Sequence, residues 1–160
     1  MKLEIIIQII SILVAMLMLW KFVPKEKLLE AHLSFLFMQL QTWLYGAIVV
    51  EKRLIEYPVR FLYFSYRISF VFEFFIFPVI SVMFNIHFPI GKRLTHKILY
   101  IFAFPTVITI IEIFLEKYTD VIHYLHWAWY WSWLTMLISL LISYKYYLWF
   151  FNKNKHVSKR

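Results

Sequence analysis

The chain has 160 residues, of which 62% are hydrophobic, 22% aromatic and 16% charged, with a formal net charge of +8, no cysteine and two glycines. A soluble domain is roughly 45–50% apolar and about 25% charged, so this balance points to lipid as the solvent. Disulfides, thiolate metal sites, cysteine nucleophiles and glycine-rich phosphate loops lack material, and positive charge on so apolar a chain fits a membrane surface and not nucleic acid.

A helix needs about 20 mostly apolar residues to cross a bilayer. The first such stretch, residues 3–23, is uncharged from Ile5 to Trp20. No small-x-small cleavage site precedes Lys21, so it reads as a retained span and not a signal peptide. The second, 29–50, holds His32, Gln39 and Gln41, side chains suited to hydrogen bonds with other helices. The third, 67–88, carries Glu73. Five residues on, Pro78 has no N–H and frees the carbonyl of Phe74, which predicts a kink. The fourth, 97–116, carries Glu112, and its Pro105 frees the carbonyl of Ile101 in the same way. The fifth, 129–151, opens beside Trp127, Trp129, Tyr130, Trp131 and Trp133. That run is either an aromatic anchor at the headgroups or a stacking platform for a ligand. The spans leave no room for a soluble domain. The sequence therefore predicts an all-α fold, a polytopic transmembrane helix bundle in a single integral membrane domain over 1–160.

Cytoplasmic loops are enriched in Lys and Arg. An N-out, C-in arrangement leaves only Lys2, Lys52, Arg53, Arg60, Arg67 and Lys117 outside, out of 17 basic residues. Tyr57, Tyr63 and Tyr66 then fall at the outer interface. The basic tail from Asn152 stays inside, near anionic lipid.

A carboxylate in a span costs roughly 2.5–3.5 kcal/mol on insertion scales, so it faces a partner or a wet cavity. Glu73 and Glu112 are the two set within long apolar runs. If the fourth helix continues, Glu112, Glu116, Asp120 and His123 share one stripe. Like charges four residues apart repel, and Arg53, Arg60 and Arg67 are available to compensate. The sequence thus predicts an outer-face cluster of Glu73, Glu112, Arg60, Arg67, Glu116, Asp120 and His123. Arg60 or Arg67 would pair with Glu73 or Glu112, because the guanidinium fork suits a buried carboxylate. Such a cluster either ties helices together or serves a ligand. Asp120, His123 and His126 have zinc-ligand chemistry, but their spacing turns one member away and HExxH is absent, so no metal and no cofactor is expected. No G-x-S-x-G elbow or P-loop is present.

Glu56-Tyr57-Pro58-Val59-Arg60 precedes Phe72-Glu73-Phe74-Phe75-Ile76-Phe77-Pro78, and Glu112, Tyr118-Thr119, Ile122, Tyr124 and Trp127 follow. This pattern resembles a family of small, uncharacterised multi-pass membrane proteins of spore-forming Firmicutes such as Bacillus and Clostridium. The likeness runs from about the second span to the fifth. It implies a multi-pass protein of the bacterial cytoplasmic membrane and carries over no substrate, cofactor or catalytic residue. The expected function is a non-enzymatic binding or assembly component, in contact with membrane lipids and with other membrane proteins or copies of itself. The alternative is a small oligomeric channel or transporter using Glu73 and Glu112. An interfacial lipid-headgroup enzyme using Glu112, Asp120 and His123 ranks last, because nothing identifies a nucleophile.

Overall fold

The computed structural model describes residues 2–60 and 67–157, with side chains over 3–60 and 67–151. Tyr63, Tyr66, Lys159 and Arg160 lie outside the described residues. The fold is an all-α bundle: α1 (Lys2–Phe22), α2 (Leu28–Glu51), α3 (Phe77–Ile86, entered through a π-helical turn at Phe72–Ile76), α4 (Leu94–Tyr118) and α5 (Trp129–Val157). Four helices, Leu3–Phe22, Lys25–Glu51, Leu94–Tyr118 and Trp129–Phe151, are long and apolar enough to cross a membrane. Their outer faces expose large apolar side chains such as Leu17, Leu99 and Phe114. A surface of that kind suits acyl chains and not water.

The third helical segment runs from Phe70 to Ile86, shorter than the expected 67–88. At ~1.5 Å per residue it is about 25 Å long, against roughly 30 Å of hydrocarbon. Its first turn is closed by the Glu73 N–H, which donates to Ser69 O at 2.9 Å. It ends early, ahead of Pro89 and Gly91. The segment is also the centre of the bundle: every residue from Ser81 to Ile86 is buried. Phe84 meets Phe88, Tyr100, Phe104 and Tyr144 with ring centroids 5.2–6.1 Å apart. Beside it, Asn85 donates to Ser34 Oγ and Ser143 Oγ, both at 3.0 Å, and Ser81 and Ser143 share a 2.7 Å bond. These bonds join α2, α3 and α5 through buried side chains.

The π turn follows from Pro78. Phe77 N–H reaches back to the carbonyl of Phe72, one residue further than in an α-helix. Neither Phe77 nor Pro78 can then serve the Glu73 carbonyl, and Pro78 cannot serve that of Phe74. Both orphaned carbonyls are satisfied by α2. Thr42 Oγ1 donates to Glu73 O at 2.6 Å and Gln39 Nε2 to Phe74 O at 3.0 Å. Gln39 thus makes the interhelical bond expected of it, whereas both amide atoms of Gln41 are buried without a partner. α4 is continuous through a buried Pro105.

At one end of the bundle, β1 (Ile55–Glu56) pairs antiparallel with β2 (His123–Tyr124). Val59 N–H adds a bond to Asp120 O at 3.1 Å, and Gln8 Nε2 from α1 reaches Val59 O at 2.9 Å. The chain reaches this ribbon through Arg53, whose φ of 52° ends α2. Arg53 N–H bonds to Val50 O and Leu54 N–H to Val49 O, both at 3.0 Å, the two bonds of a Schellman motif. At the other end, Lys27 Nζ meets Ile86 O at 3.4 Å and Tyr147 donates to Glu30 Oε2 at 2.6 Å. Successive helices therefore alternate in direction.

Candidate functional site

Between the helices and beneath the ribbon lies a cavity of about 630 Å³, to which all five helices contribute. Its walls are apolar, with Ala15, Met38, Val79, Ile108 and Met136 among them, and Glu73, Glu112, Ser132 and Thr42 supply polar groups. No Lys, Arg or His lines it among the described residues.

Glu73 comes from the π turn and is 5% exposed. Its carboxyl group lies flat on α2 at Gly46: a Cβ built there would be 2.9 Å from both Cδ and Oε1. The glycine makes the space that the carboxylate occupies. Tyr57, buried just after β1, donates its hydroxyl to Glu73 Oε1 at 3.3 Å. Burial raises the Tyr57 hydroxyl well above the ordinary phenol range, and the charges of Glu73 and Glu112 push it the same way. It remains a donor at any physiological pH.

Glu112, on α4, receives two hydrogen bonds at Oε1, from Tyr124 at 2.5 Å and from Ser132 on α5 at 2.6 Å. Trp127 Nε1 donates to Ser132 Oγ at 2.9 Å, which fixes the serine with its proton turned to the carboxylate. Tyr124 is pushed above the phenol range, first by burial and then by the charge of Glu112. The ribbon thus supplies each carboxylate with a tyrosine: Tyr57 for Glu73, Tyr124 for Glu112.

The arginines are not the partners that charge alone suggested. Arg60 donates to the carbonyl of Tyr57 at 2.6 Å and so braces the tyrosine's backbone. Arg67 is exposed. Among the described residues, neither forms an ion pair with Glu73 or Glu112; the tyrosines roof the carboxylates and occupy the approach. The stripe along α4 is also interrupted. The helix stops at Tyr118, where Thr119 turns to an extended backbone and its Oγ1 donates to Leu115 O at 2.6 Å. Asp120 and His123 lie beyond the helix and pair with each other at 3.2 Å on the surface. Glu116, on the last turn, makes no hydrogen bond to the carboxylates above. The structure therefore joins Glu73 and Glu112 in one cavity and leaves Arg67, Asp120 and His123 outside it.

Gly46, Thr42 and Ser132 line the cavity and are not singled out by the sequence. The scarcity of glycine in the chain was the signal available for Gly46. Ser132 and Thr42 resemble any small polar residue of an apolar helix. No known protein family, curated protein or solved structure matches the chain.

Proposed function

We propose that this protein is a membrane-embedded binding protein whose cavity takes up an amphipathic molecule from the bilayer. The observation that carries the reading is where the cavity opens. α1 packs chiefly on α3 and its π turn, and α4 chiefly on α5. Val14 on α1 and Val107 and Ile111 on α4 line the cavity, yet are 51%, 56% and 53% exposed. The mouth thus lies between α1 and α4 at the depth of hydrocarbon, open to lipid and not to water. A volume of about 630 Å³ falls within the roughly 300–1,000 Å³ typical of small-molecule sites. Below the cavity, the Phe84 cluster and the bonded group of Ser34, Ser81, Asn85 and Ser143 fill the bundle. That packing favours a blind pocket over a conducting path.

In this reading the chain crosses the membrane five times, N-out and C-in, in a bacterial cytoplasmic membrane. The distribution of Lys and Arg supports the orientation. The test uses the protein in nanodiscs of neutral phosphatidylcholine. Tritiated dodecylamine, dodecanol and dodecanoate are titrated by scintillation proximity. At least one binds saturably, and Val107→Trp, which blocks the mouth from an exposed position, abolishes that binding. Failure of all three to saturate refutes the reading.

A further inference from the structure

We infer that the cavity selects a primary alkylammonium, holding its cationic head against Glu73 and Glu112; this deepens the binding reading above and rests on it. Each carboxylate commits one oxygen to the protein. Oε1 of Glu73 accepts from Tyr57, and Oε1 of Glu112 accepts from Tyr124 and Ser132. Oε2 of each makes no hydrogen bond to any described residue, although both side chains line the cavity and Glu73 is 5% exposed. Once ionised, a carboxylate offers about four acceptor positions, so both have capacity left and face an apolar chamber with no basic side chain among the described residues of its wall. A buried charge without a counter-charge is costly. A ligand that supplies the counter-charge offsets that cost.

The chemistry of the ligand follows by complementarity. An anionic head would meet two carboxylates and nothing to neutralise it. An alcohol brings one proton and no charge. A primary ammonium brings three N–H donors, no acceptor and a full positive charge. With a pKa near that of lysine, about 10.4, it stays charged at neutral pH. A quaternary ammonium carries the charge but no donor for the open Oε2 atoms. A bare divalent ion needs six or more oxygen ligands in most sites, and no group of three or more His, Cys, Asp or Glu able to hold a metal occurs among the described residues. The alkyl tail finds the apolar remainder of the wall and passes out between α1 and α4.

Gly46 is the positioning residue for this site. It lets the Glu73 carboxylate lie against α2, and a methyl group there drives the carboxylate from its place without removing its charge.

The test measures tritiated dodecylammonium binding to the full chain in phosphatidylcholine nanodiscs at pH 7. Dodecanol, dodecanoate, dodecyltrimethylammonium and calcium serve as unlabelled competitors. Dodecylammonium should compete best, by about tenfold or more over dodecanol, with no competition from calcium. Glu73→Gln and Glu112→Gln should each weaken amine binding by about ten- to a hundredfold, the scale of a charged hydrogen bond, and leave dodecanol binding within about threefold. Gly46→Ala should weaken the amine alone. If a Gln variant loses its monodisperse profile, the competition series on the unaltered protein decides the question. Equal binding of dodecanol, or tighter binding of dodecanoate or the quaternary amine, overturns the head-group assignment and leaves the cavity reading standing. Absence of saturable binding by every probe overturns both.

Discussion

Glycine in a helix costs roughly 0.5–1 kcal/mol relative to alanine, so a buried helical glycine needs a reason. At Gly46 the reason is steric. The carboxyl carbon of Glu73 lies 2.9 Å from the position a Cβ would take. Gly46→Ala should lower stability by only about 1 kcal/mol, because the carboxyl end of the flexible Glu73 side chain moves aside and gives up its neutral hydrogen bond, as measured by reversible unfolding in mixed micelles. With Glu73→Ala already present, the clash is gone and the helix preference of alanine remains. The second substitution should then be neutral or stabilising. Equal costs in the two backgrounds would show that Gly46 and Glu73 do not share this space. Only part of this site was legible in the sequence. Glu73 and Glu112 are conspicuous as carboxylates within long apolar runs. Their partners are not, because Tyr57 and Tyr124 are delivered by two-residue strands too short to show any alternation. Charge complementarity favours arginine at these positions; the ribbon's backbone pairing decides for tyrosine.

The elements show the same division between local and distant causes. Pro78 and the Phe74 carbonyl can be read together, since a proline always frees the carbonyl four residues back. The shift of Phe77 N–H to Phe72 O, which frees the Glu73 carbonyl as well, cannot be read from sequence. It depends on α2 presenting Thr42 and Gln39 at the right height. This arrangement predicts coupling. Gln39→Leu takes the side-chain donor away from the half-buried Phe74 carbonyl, at a cost of about 1–3 kcal/mol. In a Pro78→Ala background the restored N–H can take that carbonyl within the helix. The cost of Gln39→Leu should then fall to about 1 kcal/mol or less. An undiminished cost would mean that Gln39 acts by packing and not by capping the proline's orphan. The end of α3 is local in origin, set by Pro89 and Gly91, and the bundle tolerates it. The apolar run extends beyond Ile86, but the helix sits at the centre of the bundle and does not itself have to match the thickness of the lipid.

At the scale of the whole molecule, the short α3 carries the topology. If it crosses, the β1–β2 ribbon and the α3–α4 connection lie on opposite sides of the membrane. If it does not, every later element changes sides. The chain lacks cysteine, so an introduced cysteine is the sole thiol. Lys52 and Lys92 are exposed and flank α3 on either side. In intact cells, Lys52→Cys should react with a membrane-impermeant maleimide, and Lys92→Cys only after permeabilisation. The reverse pattern would preserve five crossings and invert the molecule, which would mean that Arg53, Arg60 and Arg67 outweigh the basic residues of the opposite face. Labelling of both from one side would mean that Phe72–Ile86 re-enters without crossing. Glu73 would then share its cavity with Glu112 in a bundle of four spans, and the mouth between α1 and α4 would face a different leaflet.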